Sequence, residues 1–319
     1  MRVIMVNDCA FVGETLIKYL PSFFNVVHIK RTRRFFDKTF GVFWKILRCT
    51  GDLYHVHYLF QDCYLALKCR KHPLVGHAHG SDLRETLHSK KWGRLVRYAL
   101  QECDKVLVAQ PTLLGVAKAY NNTADYFPTP YDPEIFYPKP LFINRKVKQI
   151  LLASPHNFRT KGTDKFLHAL SLVKIPLKIK TIGYGKDVEK SRTLAKKFSL
   201  NMEFVKEVPH SEMNKLYWSS DLVLGSFGVG QLDTIAIEAM ACGRPVVHHL
   251  LKRFYPQCPF KEINSVEECA HLIEKFLTDE KTIKKQVETQ IIYVQSVHTA
   301  PLLAKKLAGI YENLMKDIF

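Results

Sequence analysis

Short apolar runs, rich in β-branched and aromatic residues, alternate along this chain with stretches of helical periodicity. RVIMVN, FNVVHI, LYHVHYL, PLVGHAH and KVLVAQ are the runs of the first half, and GETLIKYL, RFFDKTFGVFWKIL and WGRLVRYALQE are helical segments between them. Runs that are apolar at nearly every position, separated by helices, predict a parallel sheet covered on both faces. A proline-rich stretch from Pro128 to Pro140 interrupts the rhythm and reads as a linker, because proline supplies neither a sheet amide nor a helix-interior donor. A second α/β series follows, with QILLAS, LKIKTIG, MEFVKEV, DLVLGSF and PVVHHL as its strands. In the last twenty residues Leu303, Leu307, Ile310, Leu314 and Ile318 form one stripe, the pattern of a helix laid on a groove.

A chain of 319 residues with 47% hydrophobic content buries a large core and is expected to form two domains. No apolar run is long enough to span a bilayer, and MRVIMV, followed at once by Asn7 and Asp8, reads as a first buried strand rather than a signal sequence. The eight cysteines include no C-x-x-C pair and several stand inside apolar segments, which predicts a reducing, cytoplasmic setting. The net charge of +17 points to an anionic partner: nucleic acid, anionic membrane or a phosphorylated substrate. Residues 1 to 141 hold 20 Lys and Arg against 12 Asp and Glu, and the rest hold 27 against 18. An excess spread over both halves, with no basic tail, argues against a dedicated nucleic-acid arm, and no nucleic-acid partner is expected.

The chemistry concentrates in GSFGVGQLDTIAIEAMACGRPVV, residues 225 to 247. Gly228 and Gly230 let backbone approach a ligand closely, and Thr234 opens a helix whose free amides and positive dipole end suit an anion. Glu238 falls one turn later, in reach of a sugar hydroxyl. Gly243 stops the helix, Pro245 forbids its continuation, and Val246 and Val247 begin a strand. Such a unit binds phosphates and a ribose.

The string EAMACGRPVV closely resembles the nucleotide-sugar motif of family-4 retaining glycosyltransferases, which have the GT-B fold. DCAFVGETL at 8 to 16, HGSD at 79 to 82, PTPYDPEIFYP at 128 to 138 and RTKGTD at 159 to 164 are similar to four further segments of that family, in the same order. The resemblance implies two Rossmann-like domains with parallel sheets facing across a cleft. It places an acceptor-binding domain at 1–141, joined by a C-terminal helix at 300–319 that crosses back to it, and a donor-binding domain at 142–299. It implies transfer of a hexose from a UDP- or GDP-linked sugar to an acceptor hydroxyl of a glycolipid, polysaccharide or glycoprotein, with no cofactor and no metal.

Residue by residue, the resemblance gives catalytic roles to His79, Lys161 and Glu238: donor-hexose contact, diphosphate cation and ribose acid. Donor binding is implied for Gly13, Arg159, Gly162, Gly230, Gln231, Asp233, Thr234 and Ile235, and acceptor binding for Ser81 and Asp82. Two positions depart from the family pattern. Its Gly-Arg pair ahead of the lysine is replaced by Ser154 and Pro155, which leaves Arg159 as the nearest cation, and its first glutamate is Gly230. Gln231 or Asp233 could replace that carboxylate, although an acid just before a helix is also a frequent N-cap. Asp82 has the same two readings, cap or acceptor ligand.

Rival readings come from further features. His55 with His57, and His77 with His79, are two His-x-His pairs that place both rings on one face of a strand, as metal-dependent hydrolases do, but partner acids at hydrolase spacing are missing. A nucleotide-sugar 2-epimerase of similar architecture and a non-catalytic basic binding module are the remaining rivals. The segment from His28 to Arg48 holds seven Lys and Arg and one acid, with Phe36, Phe40, Phe43, Trp44 and Leu47 at helical spacing. This is either a sheet-covering helix or a contact with an anionic membrane at its inner face, where a lipid-linked acceptor would lie.

Overall fold

The computed structural model describes residues 1–31, 41–141 and 145–316. In chain order its elements are β1 (Arg2–Val6), α1 (Val12–Tyr19), β2 (Asn25–Ile29), α2 (Val42–Arg48), β3 (Leu53–His57), α3 (Gln61–Lys68), β4 (Leu74–Ala78), α4 (Ser81–Arg84), α5 (Gly93–Glu102), β5 (Lys105–Val108), α6 (Leu114–Lys118) and β6 (Asp125–Tyr126). They continue with β7 (Lys148–Leu152), α7 (Phe158–Lys161), α8 (Thr163–Leu172), β8 (Leu177–Ile182), α9 (Val188–Lys197), β9 (Met202–Val205), α10 (Met213–Trp218), β10 (Leu222–Leu224), α11 (Thr234–Ala241), β11 (Val246–Val247), α12 (Val266–Thr278), α13 (Glu280–His298) and α14 (Ala300–Lys316). The chain divides into two compact units, residues 1–130 with 298–319, and residues 131–297.

Unit 1 is a parallel sheet of order β2-β1-β3-β4-β5-β6. Strands β3 and β4 are buried at every position, as their continuous apolar character requires. One face of the sheet carries a core built on Ile4, Val56, Leu74, Ala99 and Val106; the other is covered by Val12 and Leu16 of α1 with Leu303, Leu307 and Tyr311 of α14. The stripe read at the C-terminus therefore closes unit 1. Leu303 and Leu307 are buried and Ile310 and Leu314 partly so, while Ile318 lies outside the described residues. Residues 32 to 40 of the basic aromatic segment also lie outside them, and its described end, α2, buries Val42 and Ile46.

Unit 2 is a parallel sheet of order β11-β10-β7-β8-β9. Ile150, Leu152, Phe166, Leu170 and Leu224 pack on one face and Leu151, Val223, Ala236, Met240 and Val246 on the other. The expected boundary at 141/142 moves to 130/131. The guanidinium of Arg244, buried in the core, donates to the carbonyls of Cys242 at 3.2 Å, Pro140 at 3.1 Å and Lys139, and Tyr131 and Phe136 join the unit 2 core. Residues 131–140 of the proline-rich stretch are thus part of unit 2 rather than a linker, and residues 128–130 belong to unit 1.

In each sheet the strand order reverses once. The reversal falls between β1 and β3 in unit 1 and between β7 and β10 in unit 2. Open α/β sheets bind ligands beyond the carboxyl ends of the strands at that point, because the following loops diverge there and leave a crevice.

Candidate functional site

In unit 2 the loop after β7 and the loop after β10 lie against each other backbone to backbone. Phe227 N donates to Lys161 O at 2.6 Å and Val229 N to Thr160 O at 3.4 Å. The approach needs glycine on both sides: a Cβ on Gly228 would stand 2.0 Å from Thr160 O, and one on Gly162, whose φ is +61°, would stand 2.3 Å from Phe227 O. Gly162 also ends α7, whose start is capped by Asn157 Oδ1 accepting from Thr160 N at 3.1 Å. This short turn carries Lys161 to the mouth of the loop.

Lys161 Nζ donates to Asp233 Oδ2 at 2.8 Å, while Asp233 Oδ1 caps α11 by accepting from Ala236 N at 3.0 Å. The cap expected of Asp233 is therefore formed, and its second oxygen holds the lysine. Burial pushes the Asp233 carboxyl up, but the Lys161 charge and hydrogen bond outweigh burial and hold it below the usual carboxylate range. Thr234 and Ile235 stand in the first turn of α11, half-buried. Gly230 has φ +69°, and a Cβ there would meet Leu251 Cγ at 2.5 Å, so the glutamate of the resembled family does not fit this backbone. Gln231 is buried, and its carbonyl is 2.8 Å from His248 Nε2. Arg159 is exposed on α7.

Glu238, 3% exposed, is held by two groups that the motif reading did not find. Tyr217 Oη donates to Glu238 Oε2 at 2.8 Å, and His210 Nε2 lies 2.6 Å from Oε1. Burial, then the Glu238 charge, push the Tyr217 phenol well above its usual range, so it stays a donor. The His210 ring sits 5.2 Å from that of Phe136. The signal in the sequence is no more than VPHSEMNKLY at 208–217, a polar stretch after a strand that carries a histidine and a tyrosine.

In unit 1 the carboxyl ends of β1, β3 and β4 carry the expected residues. Asn7, Ala10, Phe11 and Tyr58 all have positive φ there, from 49° to 70°. Such backbone costs of order 1–3 kcal/mol per residue and concentrates at functional sites. Gly13 is in the first turn of α1, and its N–H donates to Asp8 Oδ1 at 2.8 Å; Asp8 also accepts from Cys9 N at 2.6 Å and Glu14 N at 3.0 Å. The amides expected for a ligand are thus engaged by the chain's own carboxylate. Asp82 is neither cap nor outward ligand in this arrangement: it is buried and accepts from the amides of Gly80 at 2.8 Å, Leu83 at 3.1 Å, and Leu59 and His79 at 3.2 Å. Burial raises its carboxyl and those four amides oppose the rise. Ser81 is exposed at the start of α4.

His79 is half-buried, with Nε2 2.8 Å from His57 Nδ1. Behind it His55 Nε2 is 3.2 Å from His77 Nδ1, and His55 Nδ1 is 2.6 Å from Tyr311 Oη. Burial drives all four rings below the usual imidazole range, His57 to about 4, so they are neutral at pH 7. Nitrogens of His55, His57 and His77 lie within 4.8 Å of one another, as a metal site would need. The planes decide otherwise. Neighbouring rings are within 12° to 28° of parallel at centroid separations of 4.4 to 5.4 Å, so their in-plane lone pairs do not converge on one ion.

Residues 139–291 match the family model described as glycosyl transferases group 1. No curated protein sequence matches the chain at a significant level. Among solved structures, sucrose-phosphate synthase from Thermosynechococcus elongatus superposes with a TM-score of 0.78 at 14% identity, over 99% of this chain and 100% of that one. HepE of Anabaena in complex with UDP-glucose gives 0.76 at 14%, over 98% and 100%, and the lipopolysaccharide outer core galactosyltransferase WaaB in its apo form gives 0.66 at 12%, over 98% and 100%. These likenesses establish the GT-B fold.

Proposed function

We propose that this GT-B protein, with its glycosyl transferases group 1 region at residues 139–291, is a retaining glycosyltransferase that moves a hexose from a UDP- or GDP-linked sugar to an acceptor hydroxyl. The observation that carries the reading is the meeting of Lys161, the amide end of α11 and buried Glu238 at the strand-order reversal of unit 2. Breaking the sugar–diphosphate bond leaves the electron pair on a phosphate oxygen. A lysine and helix amides placed beforehand stabilise that growing charge without reorganising. Lys161 must leave Asp233 to do so, and Asp233 keeps its cap when it is released. Glu238, held by Tyr217 and His210, offers its remaining lone pairs to the ribose hydroxyls, and Gly162, Gly228 and Gly230 let the diphosphate approach backbone closely. Lys161 and the amides of α11 take the place of a metal in this scheme. Retention and the hexose rest on the resemblance to family 4.

The acceptor is a carbohydrate, lipid-linked or protein hydroxyl, bound by unit 1. For the lipid-linked case, α2 exposes Trp44 and Leu47, 50% and 41% accessible, beside Lys45 and Arg48, whose guanidinium lies 5.3 Å over the Trp44 ring. Co-sedimentation with anionic liposomes at low salt should fall when Trp44→Ala, Lys45→Glu and Arg48→Glu are combined, each cation contributing about 1 kcal/mol. Equal pelleting of the two proteins removes the membrane from the account.

The enzymatic reading is tested by incubating the protein with UDP- and GDP-sugars, with and without a panel of acceptors. Release of free nucleotide that requires an acceptor supports transfer. Release without one, or interconversion of the donor sugar alone, supports hydrolysis or 2-epimerisation instead.

A further inference from the structure

The four histidines of β3 and β4 form two layers rather than one cage. His55 and His77 meet edge to edge in one layer, His57 and His79 in the other, and the layers stack at 4.8 Å between His55 and His57 and 4.4 Å between His77 and His79. In a pair of neutral imidazoles joined edge to edge, one nitrogen donates and the other accepts, so the proton position on one ring dictates that on the next. The inner layer is anchored by the Tyr311 hydroxyl. The far end of the outer layer is His57 Nε2, a fully buried nitrogen with no hydrogen-bond partner among the described residues.

What that nitrogen faces decides the direction of the outer layer. A Cβ built on Gly13 would stand 3.0 Å from His57 Nε2 and 3.2 Å from the Asp8 carboxyl carbon, so both groups border the same small space beside α1. Asp8, held in place by three amides, and Met5 Sδ, 3.2 Å from the same Cβ position, offer the ring acceptors rather than donors on this side. A bare lone pair of His57 pointed at these acceptors is repelled by them, whereas an N–H is attracted. The Asp8 charge accordingly works against burial and raises the affinity of His57 for a proton. With hydrogen on Nε2, His57 Nδ1 is an acceptor, and the 2.8 Å contact must then be donated by His79 Nε2.

We propose that Asp8 and His57 act as positioning residues that hold His79 in its Nε2–H tautomer, so that His79 Nδ1 is left as an acceptor for a substrate hydroxyl. The ring then recognises a neutral O–H and does not donate to the departing diphosphate, a task left to Lys161 and the amides of α11. This rests on the proposed contact of His79 with the donor sugar. The glycine at position 13 has its role here too, since any side chain would occupy the space between Asp8 and His57.

The test reads the tautomer directly. Full-length protein labelled with 15N-histidine is assigned by single His→Gln variants, and long-range 1H–15N correlations at pH 7.5 show which ring nitrogen of His79 carries hydrogen. The expected result is hydrogen on Nε2 of both His57 and His79 in the wild type. In His57→Phe the partner is lost, so His79 should become a mixture of tautomers, and kcat should fall roughly tenfold, as for loss of one hydrogen bond, with KM for the nucleotide part little changed. His57→Asn, whose amide oxygen can stand where Nδ1 stood, should restore the Nε2–H form and most of the turnover. Hydrogen on Nδ1 of His79 in the wild type overturns the proposal, as does an unchanged tautomer in His57→Phe. The spectrum needs no substrate. A protein with the expected tautomers but without acceptor-dependent transfer would therefore contradict the functional reading and leave the relay standing.

Discussion

The carboxyl ends of the unit 1 strands present neutral rings, His79 on His57 and His55 on His77, whereas those of unit 2 present charges, Lys161 on Asp233 and Glu238 under His210. The unit 2 group stands where strand order reverses, and the unit 1 group on β3, which borders that point, and on β4 beside it; both are largely buried. The difference lies in how each avoids the cost of burial. Imidazoles can lose their charge and share protons among themselves, at the expense of acid tolerance. Lysine and carboxylates keep their charge by pairing, so the unit 2 groups remain available to an anion that can replace Asp233. A neutral face suits a sugar hydroxyl and a charged one a diphosphate.

The largest expected effect comes from closing the glycine contact on which the charged site depends. Gly228→Ala puts a methyl 2.0 Å from a backbone oxygen, where no flexible side chain can yield, and should destabilise unit 2 by roughly 3 kcal/mol or more. Urea unfolding would register this as a lower midpoint. A near-unchanged midpoint would mean that the two loops separate freely.

Acid separates the units next. His57 titrates near 4 folded and near 6.5 unfolded, so between those values the unfolded chain binds a proton that the folded one refuses. The contribution of His57 is therefore complete above about pH 6.5, declines as pH falls, and levels off below about 4. At pH 5 this one ring should cost about 2 kcal/mol. His55, His77, His79 and His298, also in unit 1 and also lowered by burial, add to it, while unit 2 has His156 and His248 lowered. Proteolysis at pH 5 mapped to fragments should open unit 1 before unit 2, and simultaneous opening would contradict the contrast.

A smaller effect is expected at Glu238, the acid proposed to meet the ribose. Glu238→Gln keeps the size and leaves Tyr217 a carbonyl to donate to, so the fold should hold while UDP or GDP affinity falls by about 1 kcal/mol and pyrophosphate affinity stays level. Equal weakening of both ligands would assign Glu238 to the fold.

How much of this could be read from the sequence follows from range. The ten strands expected from apolar runs all appear in the two sheets; β6, with only Asp125 and Tyr126 and no apolar run, does not announce itself. Thr234, Glu238 and Gly243 were legible because their spacing along one helix and just past its end is local physics. The partners of Glu238 were not, since His210 and Tyr217 come from the segment after another strand and meet it only through the sheet order. The His-x-His pairs were visible as faces of strands, but whether four rings converge or layer depends on the register that sets His57 opposite His77. The domain boundary slipped for a similar reason: the reach of Arg244 back to residues 139 and 140 is invisible to a count of prolines.

Titration of UDP and GDP into the wild type and into Lys161→Ala, followed by calorimetry, tests most directly the claim that the charged end of unit 2 is a nucleoside-diphosphate site. One of the nucleotides should bind the wild type and bind the variant roughly 10- to 100-fold more weakly, the loss of a charge-assisted phosphate contact, with unfolding midpoints that stay close. Failure of both nucleotides to bind the wild type, or equal affinity for the two proteins, would contradict it.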